Sequence, residues 1–316
     1  MGSMHACQGP RTAPVGAVFS RDEDSRDPDA GRYLSGAATP PEGLEGTADW
    51  PSHQGVQVLQ LEGGQALERP DQVIEEVPLA LVYNRISHAV MLVTPVDLAD
   101  FVLGFSLGEG ILGAATELHD CELVQVRGGI EARMRISAAR FAALKERRRT
   151  LAGRTGCGLC GVESLQALER PTVPVERTCR PQPGAIARAL ADLPRHQPLF
   201  RLTGGGHAAA WVGADGSVRL VREDVGRHNA LDKLIGALTR QGTDPADGFA
   251  ICTSRASYEM VQKAMTAGIG LLVAVSAPTA AAIRLAQAAQ ITLIGFARGE
   301  RMLVYTHPWE SMEVIR

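Results

Sequence analysis

The stretch FAICTSRASYEMVQKAMTAGIGLLVAVSAPTAAAIRLAQAAQITLIGF (249–296) decides the fold. Three short apolar runs, at 249–252, 271–275 and 291–296, alternate with helical periodicity at 256–267 and 279–289. Short uninterrupted apolar runs suit strands buried on both faces, and their alternation with helices predicts βαβ crossovers and a largely parallel sheet. Working outward, 225–240 carries Ala230, Leu231, Leu234, Ile235 and Leu238 at helical spacing, and Gly268 follows the 256–267 helix at a C-cap position. Residues 171–316 are therefore expected to form an α/β domain.

A smaller α+β domain is expected over 71–150. Leu79–Tyr83 and Ala89–Val93 read as strands around a turn at 84–87, with further strands near 121–127 and 132–136. Thr94-Pro95-Val96-Asp97 predicts a helix start, Thr94 as N-cap and Pro95 at the first helical position. Its apolar face would be Leu98, Phe101, Val102 and Phe105, and Gly110 would end it. Residues 1–70 are rich in Gly, Pro, Asp, Ser and Ala, and are expected to form a disordered leader. Met1-Gly2-Ser3 reads as an expression remnant.

Between the domains, 151–170 holds Thr155-Gly156-Cys157-Gly158-Leu159-Cys160-Gly161. Glycines around two thiols predict a mobile loop, and Val162–Leu168 reads as a short helix starting near Cys160. A helix N-terminus favours a thiolate, so exposed nucleophilic sulfur is the expected chemistry. A structural disulfide this short would staple almost no chain. A structural zinc site wants four ligands, and no second C-x-x-C or H-x-x-x-H accompanies this one, so no zinc is expected. A thioredoxin-type motif should follow a strand early in a βαβ unit. This pair follows the basic, loop-like run Lys145–Thr150 instead.

The chain has 316 residues, a formal net charge of −3 and 4% aromatic residues. No basic field or stacking platform points to nucleic acid. No signal-peptide core and no apolar stretch of about 18 residues is present, so a soluble cytoplasmic protein with no membrane partner is expected. Six cysteines, paired in spacing only at 157 and 160, fit a reducing compartment.

Polar residues gather where the expected strands give way to helices, which is where open α/β sheets bind ligands. One junction is Arg222–Asn229, leading to Asp232 and Lys233; another is Thr253–Glu259; a third is the glycine loop Leu202–His207. Plain alternatives stand beside them. Asp224 and Ser254 could simply cap helices. His228/Asp232 and Glu259/Lys263, each i,i+4, could be a structural pair and a solvated surface pair. His207 could be packed. A fourth junction, Phe296-Ala297-Arg298-Gly299-Glu300-Arg301, carries two arginines able to clamp a phosphate, or is an ordinary charged turn.

Seven blocks in order resemble the formate dehydrogenase accessory sulfurtransferase (FdhD) family. They are EEVPLALVYNRISHAVMLVTPVDLADFVLGFSLGEGI (75–111), RTGCGLCG (154–161), LTGGGHAAAW (202–211), REDVGRHNALDK (222–233), TSRASYEMVQKA (253–264), SAPTAAAIRLA (276–286) and GFARGERMLVYTHP (295–308). The resemblance implies a sulfur carrier that takes persulfide sulfur from a cysteine desulfurase. It would deliver that sulfur to the bis-molybdopterin guanine dinucleotide form of the molybdenum cofactor, destined for formate dehydrogenase. By position Cys157 matches the persulfide cysteine and Cys160 its partner. Phe296, Ala297, Arg298, Gly299, Glu300 and Arg301 match the stretch associated with the guanine dinucleotide, for which guanosine diphosphate is a fragment.

Arg255, His207 and Lys233 are candidates to surround this polyanion. The resemblance also implies a cytidine-deaminase-like three-layer C-terminal domain and suggests a homodimer. Deamination itself is disfavoured, since the H-x-E and P-C-x-x-C zinc pattern is missing. The other functions weighed are a cofactor-binding chaperone without direct sulfur transfer, and a thiol–disulfide oxidoreductase.

Overall fold

The computed structural model describes residues 50–149, 172–175, 178–182 and 184–309. The expected C-x-x-C loop, its short helix and residues 1–49 lie outside the described residues. The first element is a hairpin of β1 (His53–Glu62) and β2 (Gln65–Ile74), which corrects the reading of the whole 1–70 segment as disordered. It turns through Gly63 and Gly64, at φ of 56° and 79°, a two-residue loop that glycine enters without steric penalty. Val56, Val58 and the Gly-Gly pair are its signal; averaging over the polar leader hides it.

β3 (Val77–Tyr83), β4 (Ile86–Val93), β5 (Leu118–Val126) and β6 (Gly129–Ile136) form a sheet in the order β4-β3-β6-β5. α1 (Leu98–Gly108) covers one face of it, and the expected Leu98, Phe101, Val102 and Phe105 are buried with Leu79, Leu81 and Tyr83. The helix start differs from expectation. Thr94 does not cap it; the helix begins at Leu98 after Asp97, whose φ is 52°. Thr94 is engaged elsewhere: its N–H donates to Asp224 Oδ2 at 3.0 Å, and its Oγ1 accepts from the Val225 N–H at 3.0 Å. A tertiary contact has taken the groups a cap would use. α2 (Ala138–Arg149) also corrects an expectation, since most of the basic run at 145–150 continues this helix.

The second region runs α3 (Ala185–Asp192), α4 (Pro198–Thr203), β7 (His207–Gly213), β8 (Val218–Asp224) and α5 (Arg227–Gln241). It continues with β9 (Gly248–Cys252), α6 (Tyr258–Thr266), β10 (Leu271–Ala274), α7 (Ala280–Ala288), β11 (Thr292–Arg298) and β12 (Arg301–Thr306). The six strands take the order β12-β11-β10-β9-β7-β8. Only β9–β10 and β10–β11 pair in parallel; β7–β9, β7–β8 and β11–β12 are antiparallel, so the largely parallel sheet is corrected to a parallel centre with antiparallel flanks. Short connections between β7 and β8 and between β11 and β12 leave no room for a crossover helix, which parallel pairing needs.

The central strands are apolar throughout because both faces are buried. Ala250, Leu272 and Leu293 pack with α5, α6 and α7, while Phe249, Ile251, Leu271 and Val273 pack with Ile186 and Ala189 of α3. All five expected core residues of α5, from Ala230 to Leu238, are buried on the first face.

The four-stranded and six-stranded regions belong to one compact unit, joined where α1 crosses α5. The crossing depends on two glycines. A Cβ on Gly104 would run into the Asp232 carbonyl, and one on Gly236 into the Asp100 carbonyl. Asp100 is itself held at 2.8 Å by Arg222 and at 2.7 Å by Arg240. In an unencumbered helix Gly→Ala gains about 1 kcal/mol. Here Gly236→Ala is expected to lose about 2–3 kcal/mol, because the backbones must part. Urea unfolding measures this, and a stabilised variant would show that the helices need not meet so closely.

Candidate functional site

The sheet places three of the polar junctions, and the Phe296 hairpin beside them, on a single edge. Hydrogen bonds between neighbouring junctions trace that edge. The Phe296 N–H donates to the Ser276 carbonyl at 3.2 Å, and the Ser276 N–H to the Ser254 carbonyl at 3.3 Å. The Thr253 N–H reaches the Ala208 carbonyl at 3.0 Å, and His207 is paired in register with Asp224 at the end of β8. The carboxyl ends of the parallel strands and the starts of α5, α6 and α7 therefore share one rim. Sequence alone does not state strand order, so the grouping is a product of topology.

Phe296 is the most unusual residue on this rim. It has φ of 50° and is 43% exposed. The β11–β12 register shifts between Gly295 and Arg298, so a bulge at Phe296 and Ala297 re-aims the ring to solvent. An exposed aromatic held in left-handed backbone fits a ligand contact better than core packing. Arg298 and Arg301 face each other across the following turn, Gly299-Glu300, and both are exposed. Arg255 is exposed at the β9–α6 junction, and His207 is half-buried at the start of β7. Burial holds the His207 imidazole below its ordinary pKa, and the nearby Arg227 and His228 charges push the same way.

Lys233 is different, and its expected place around a polyanion is corrected. Its side chain is fully buried, with Nζ 2.7 Å from Asp224 Oδ2, 2.9 Å from the Thr94 carbonyl and 3.1 Å from the Glu223 carbonyl. All three ammonium protons are used. Asp224 in turn accepts from the Thr94 and Gly226 N–H groups and from Asn229 Nδ2. This cluster joins the two sheets below the rim and is closed to solvent.

The expected i,i+4 pairs exchange partners between helices. His228 Nε2 lies 2.8 Å from Glu259 of α6, and Asp232 accepts from Lys263 of α6 at 2.8 Å. The second pair is buried, and Lys263 also reaches Glu109 at 3.2 Å. Intrahelical spacing could not show this, because helix neighbours compete with side chains brought by packing. Arg227, His228, Ser257 and Glu259, all within the two junctions singled out from the sequence, thus stand on the rim as well.

The described cysteines lie away from this chemistry. Cys121, Cys179 and Cys252 are buried, and desolvation pushes the Cys121 and Cys252 thiols up to about 12 and that of Cys179 upward too. Thiols so protonated are poor nucleophiles. A cleft of about 350 Å3 at the opposite edge, with Cys179, Thr292 and His307 on its wall, is remote from the rim. Among the described residues no group of three or more His, Cys, Asp and Glu is arranged to hold a metal ion.

Fold and rim together define a mixed α/β protein with a polar, partly cationic edge at its strand ends. The model of the FdhD/NarQ family matches residues 74–311, and the chain belongs to that family. It is 53% identical over 263 residues to the sulfur carrier protein FdhD of Cupriavidus necator, covering 83% of this chain and 91% of the relative. It is 52% identical to the protein of the same description from Bordetella bronchiseptica, covering 83% and 96%. A crystal structure described as that of a formate dehydrogenase accessory protein from Desulfotalea psychrophila superposes with a TM-score of 0.63 at 24% identity. That match covers 82% of this chain and 98% of the other, and speaks to the fold.

Proposed function

We propose that this protein is a sulfur carrier of the formate dehydrogenase pathway, loading sulfur on Cys157 and delivering it to a guanine-dinucleotide molybdenum cofactor bound along the rim. The carrying observation is the inertness of the buried Cys121, Cys179 and Cys252; of the remaining Cys7, Cys157 and Cys160, only 157 and 160 form a glycine-flanked pair, the natural seat of sulfur chemistry. The relatives described as sulfur carrier proteins support the same reading. Loading follows thiol–disulfide exchange. The Cys157 thiolate attacks the outer sulfur of a cysteine desulfurase persulfide, that S–S bond breaks, and the donor leaves as thiolate. No net oxidation is needed. Cys160 is the partner thiol in this scheme.

The cofactor is cargo here, and the rim residues would bind it rather than retain it. Phe296 would stack on a base, and Arg298, Arg301 and Arg255 would meet phosphate charge. A cytidine-deaminase-like three-layer arrangement of the C-terminal region, a homodimer and a cytoplasmic location belong to the same proposal. Among the described residues no helix is long and apolar enough to cross a membrane.

Sulfur loading is tested by incubating the reduced protein with a cysteine desulfurase and cysteine, then mapping added sulfur by mass spectrometry. Added sulfur at Cys157 is expected; its consistent appearance elsewhere would overturn the assignment. For the rim, replacing Arg298 and Arg301 together by alanine is expected to weaken guanosine diphosphate binding at least about tenfold, roughly 1.4 kcal/mol. Unchanged affinity in titration calorimetry would return this hairpin to an ordinary charged turn.

A further inference from the structure

We infer that the outer edge of β1 is a dimer interface, where it pairs antiparallel with β1 of a second copy of this chain. The inference rests on the homodimer of the reading above and adds the surface and register through which the copies meet. β1 and β2 form a ribbon of two ten-residue strands, about 30 Å long. Its base rests on the glycine loop, where a Cβ on Gly206 would meet Ile74. Beyond the base it is open to solvent, with Leu59, Leu61 and Leu67 59%, 75% and 65% exposed. A two-stranded ribbon is marginal in water unless a further strand or a packed face joins it.

Register decides which edge is available. The Gly63-Gly64 turn is flanked by Glu62 and Gln65, so that pair is hydrogen-bonded and the pairs alternate from there. The backbone groups of Gly55, Gln57, Leu59 and Leu61 therefore point away from β2. Among the described residues none of them bonds to backbone outside the ribbon. On β2 the outward positions include Pro70, opposite Gln57, which has no N–H to offer. The β2 edge is thus blunted, whereas β1 holds neither proline nor lysine, the usual protections of an edge.

Charge selects the occupant. A two-fold axis requires the two strands to run antiparallel. With Val58 opposite Val58 of the second copy, Gly55, Gln57, Leu59 and Leu61 take the hydrogen-bonded positions. Glu62, the only Asp, Glu, Lys or Arg in β1, then faces Gln54, so no like charges meet. Leu59 reaches its counterpart on the diagonal, and Leu61 lies opposite Gly55. The two ribbons become one four-stranded antiparallel sheet. Ten residues in each strand make twenty per ribbon, at the lower end of the roughly 20–30 residues a side of a standard interface.

Sedimentation of the full-length reduced protein is expected to show a dimer. Gln57→Pro removes an outward N–H and spares the ribbon's own ladder, and Leu59→Lys charges an exposed edge position. Each should weaken the dimer at least about tenfold. On oxidation, Val58→Cys should bridge the two copies, because a non-hydrogen-bonded pair brings Cα atoms to about 4.5 Å. Gln60→Cys, opposite Val56, should not; peptide mapping by mass spectrometry identifies the bridge. Hydrogen exchange of the wild type keeps the question measurable should a variant fold poorly. The amides of Gly55, Gln57, Leu59 and Leu61 should exchange slowly in the dimer and fast on dilution.

A monomeric wild type overturns the interface and the homodimer together. A dimer indifferent to both Gln57→Pro and Leu59→Lys overturns the interface and leaves the homodimer standing. Bridging through Gln60→Cys and not Val58→Cys overturns the register. Protection of these amides only when a cysteine desulfurase is added gives the edge to that partner and overturns the second copy as its occupant. Sulfur loading on Cys157 is scored separately, and none of these outcomes bears on it.

Discussion

Cys157→Ala is expected to reduce formate dehydrogenase maturation to background in cells lacking the native protein, with thermal unfolding of the purified variant unchanged. The expectation combines two kinds of fact. The residue lies between Gly156 and Gly158 in a stretch whose composition opposes a packed environment, so its removal should leave the core untouched. The described thiols, in contrast, sit in apolar surroundings that keep them protonated, and none can substitute as nucleophile. A carrier that loses its accepting sulfur loses the whole step. Full maturation by the variant would sink the carrier reading. Comparative alkylation of Cys157 and Cys160 tests the order of the pair, since the sequence places Cys160 at an expected helix start, which favours a thiolate.

Lys233→Met is expected to destabilise the protein by about 3–5 kcal/mol, the usual consequence of breaking a buried ion pair on one side. Methionine replaces much of the buried stem, so the effect isolates charge. Asp224 would remain fully buried without its cation, and the Thr94 and Glu223 carbonyls would lose a donor. Those groups come from both sheets, so the loss should appear as one cooperative transition moved to lower urea, not as detachment of one region. A change below about 1 kcal/mol would remove the structural role assigned here and reopen Lys233 as a rim contact.

Much of the fold was legible in residue spacing. The apolar runs of β9, β10 and β11 and the 3.6-residue patterns of α5, α6 and α7 are local, and a buried strand or amphipathic helix cannot hide them. The α1 face from Leu98 to Phe105 was equally plain. Its start was not, because Thr94 is a good cap that bonds across the molecule to Asp224 and Val225 instead. The β1–β2 hairpin was obscured for another reason, as its alternation is weak and most of its side chains remain exposed.

For the candidate site, the sequence by itself determined which residue types were available: a glycine-flanked thiol pair, two arginines about a turn, and polar junctions after apolar runs. Tertiary structure decided which of these meet. Strand order carries His207, Arg255 and the Phe296–Arg301 hairpin to one rim, although nearly ninety residues of numbering separate the first from the last. Asp224 at the end of β8 and the Thr94 carbonyl withdraw Lys233 from that rim, and packing of α6 on α5 gives His228 to Glu259 and Asp232 to Lys263. The physical reason is the range of the forces involved. Periodicity and turn chemistry act within a few residues, whereas the partner of a buried charge is chosen by whichever group the fold brings within hydrogen-bonding distance.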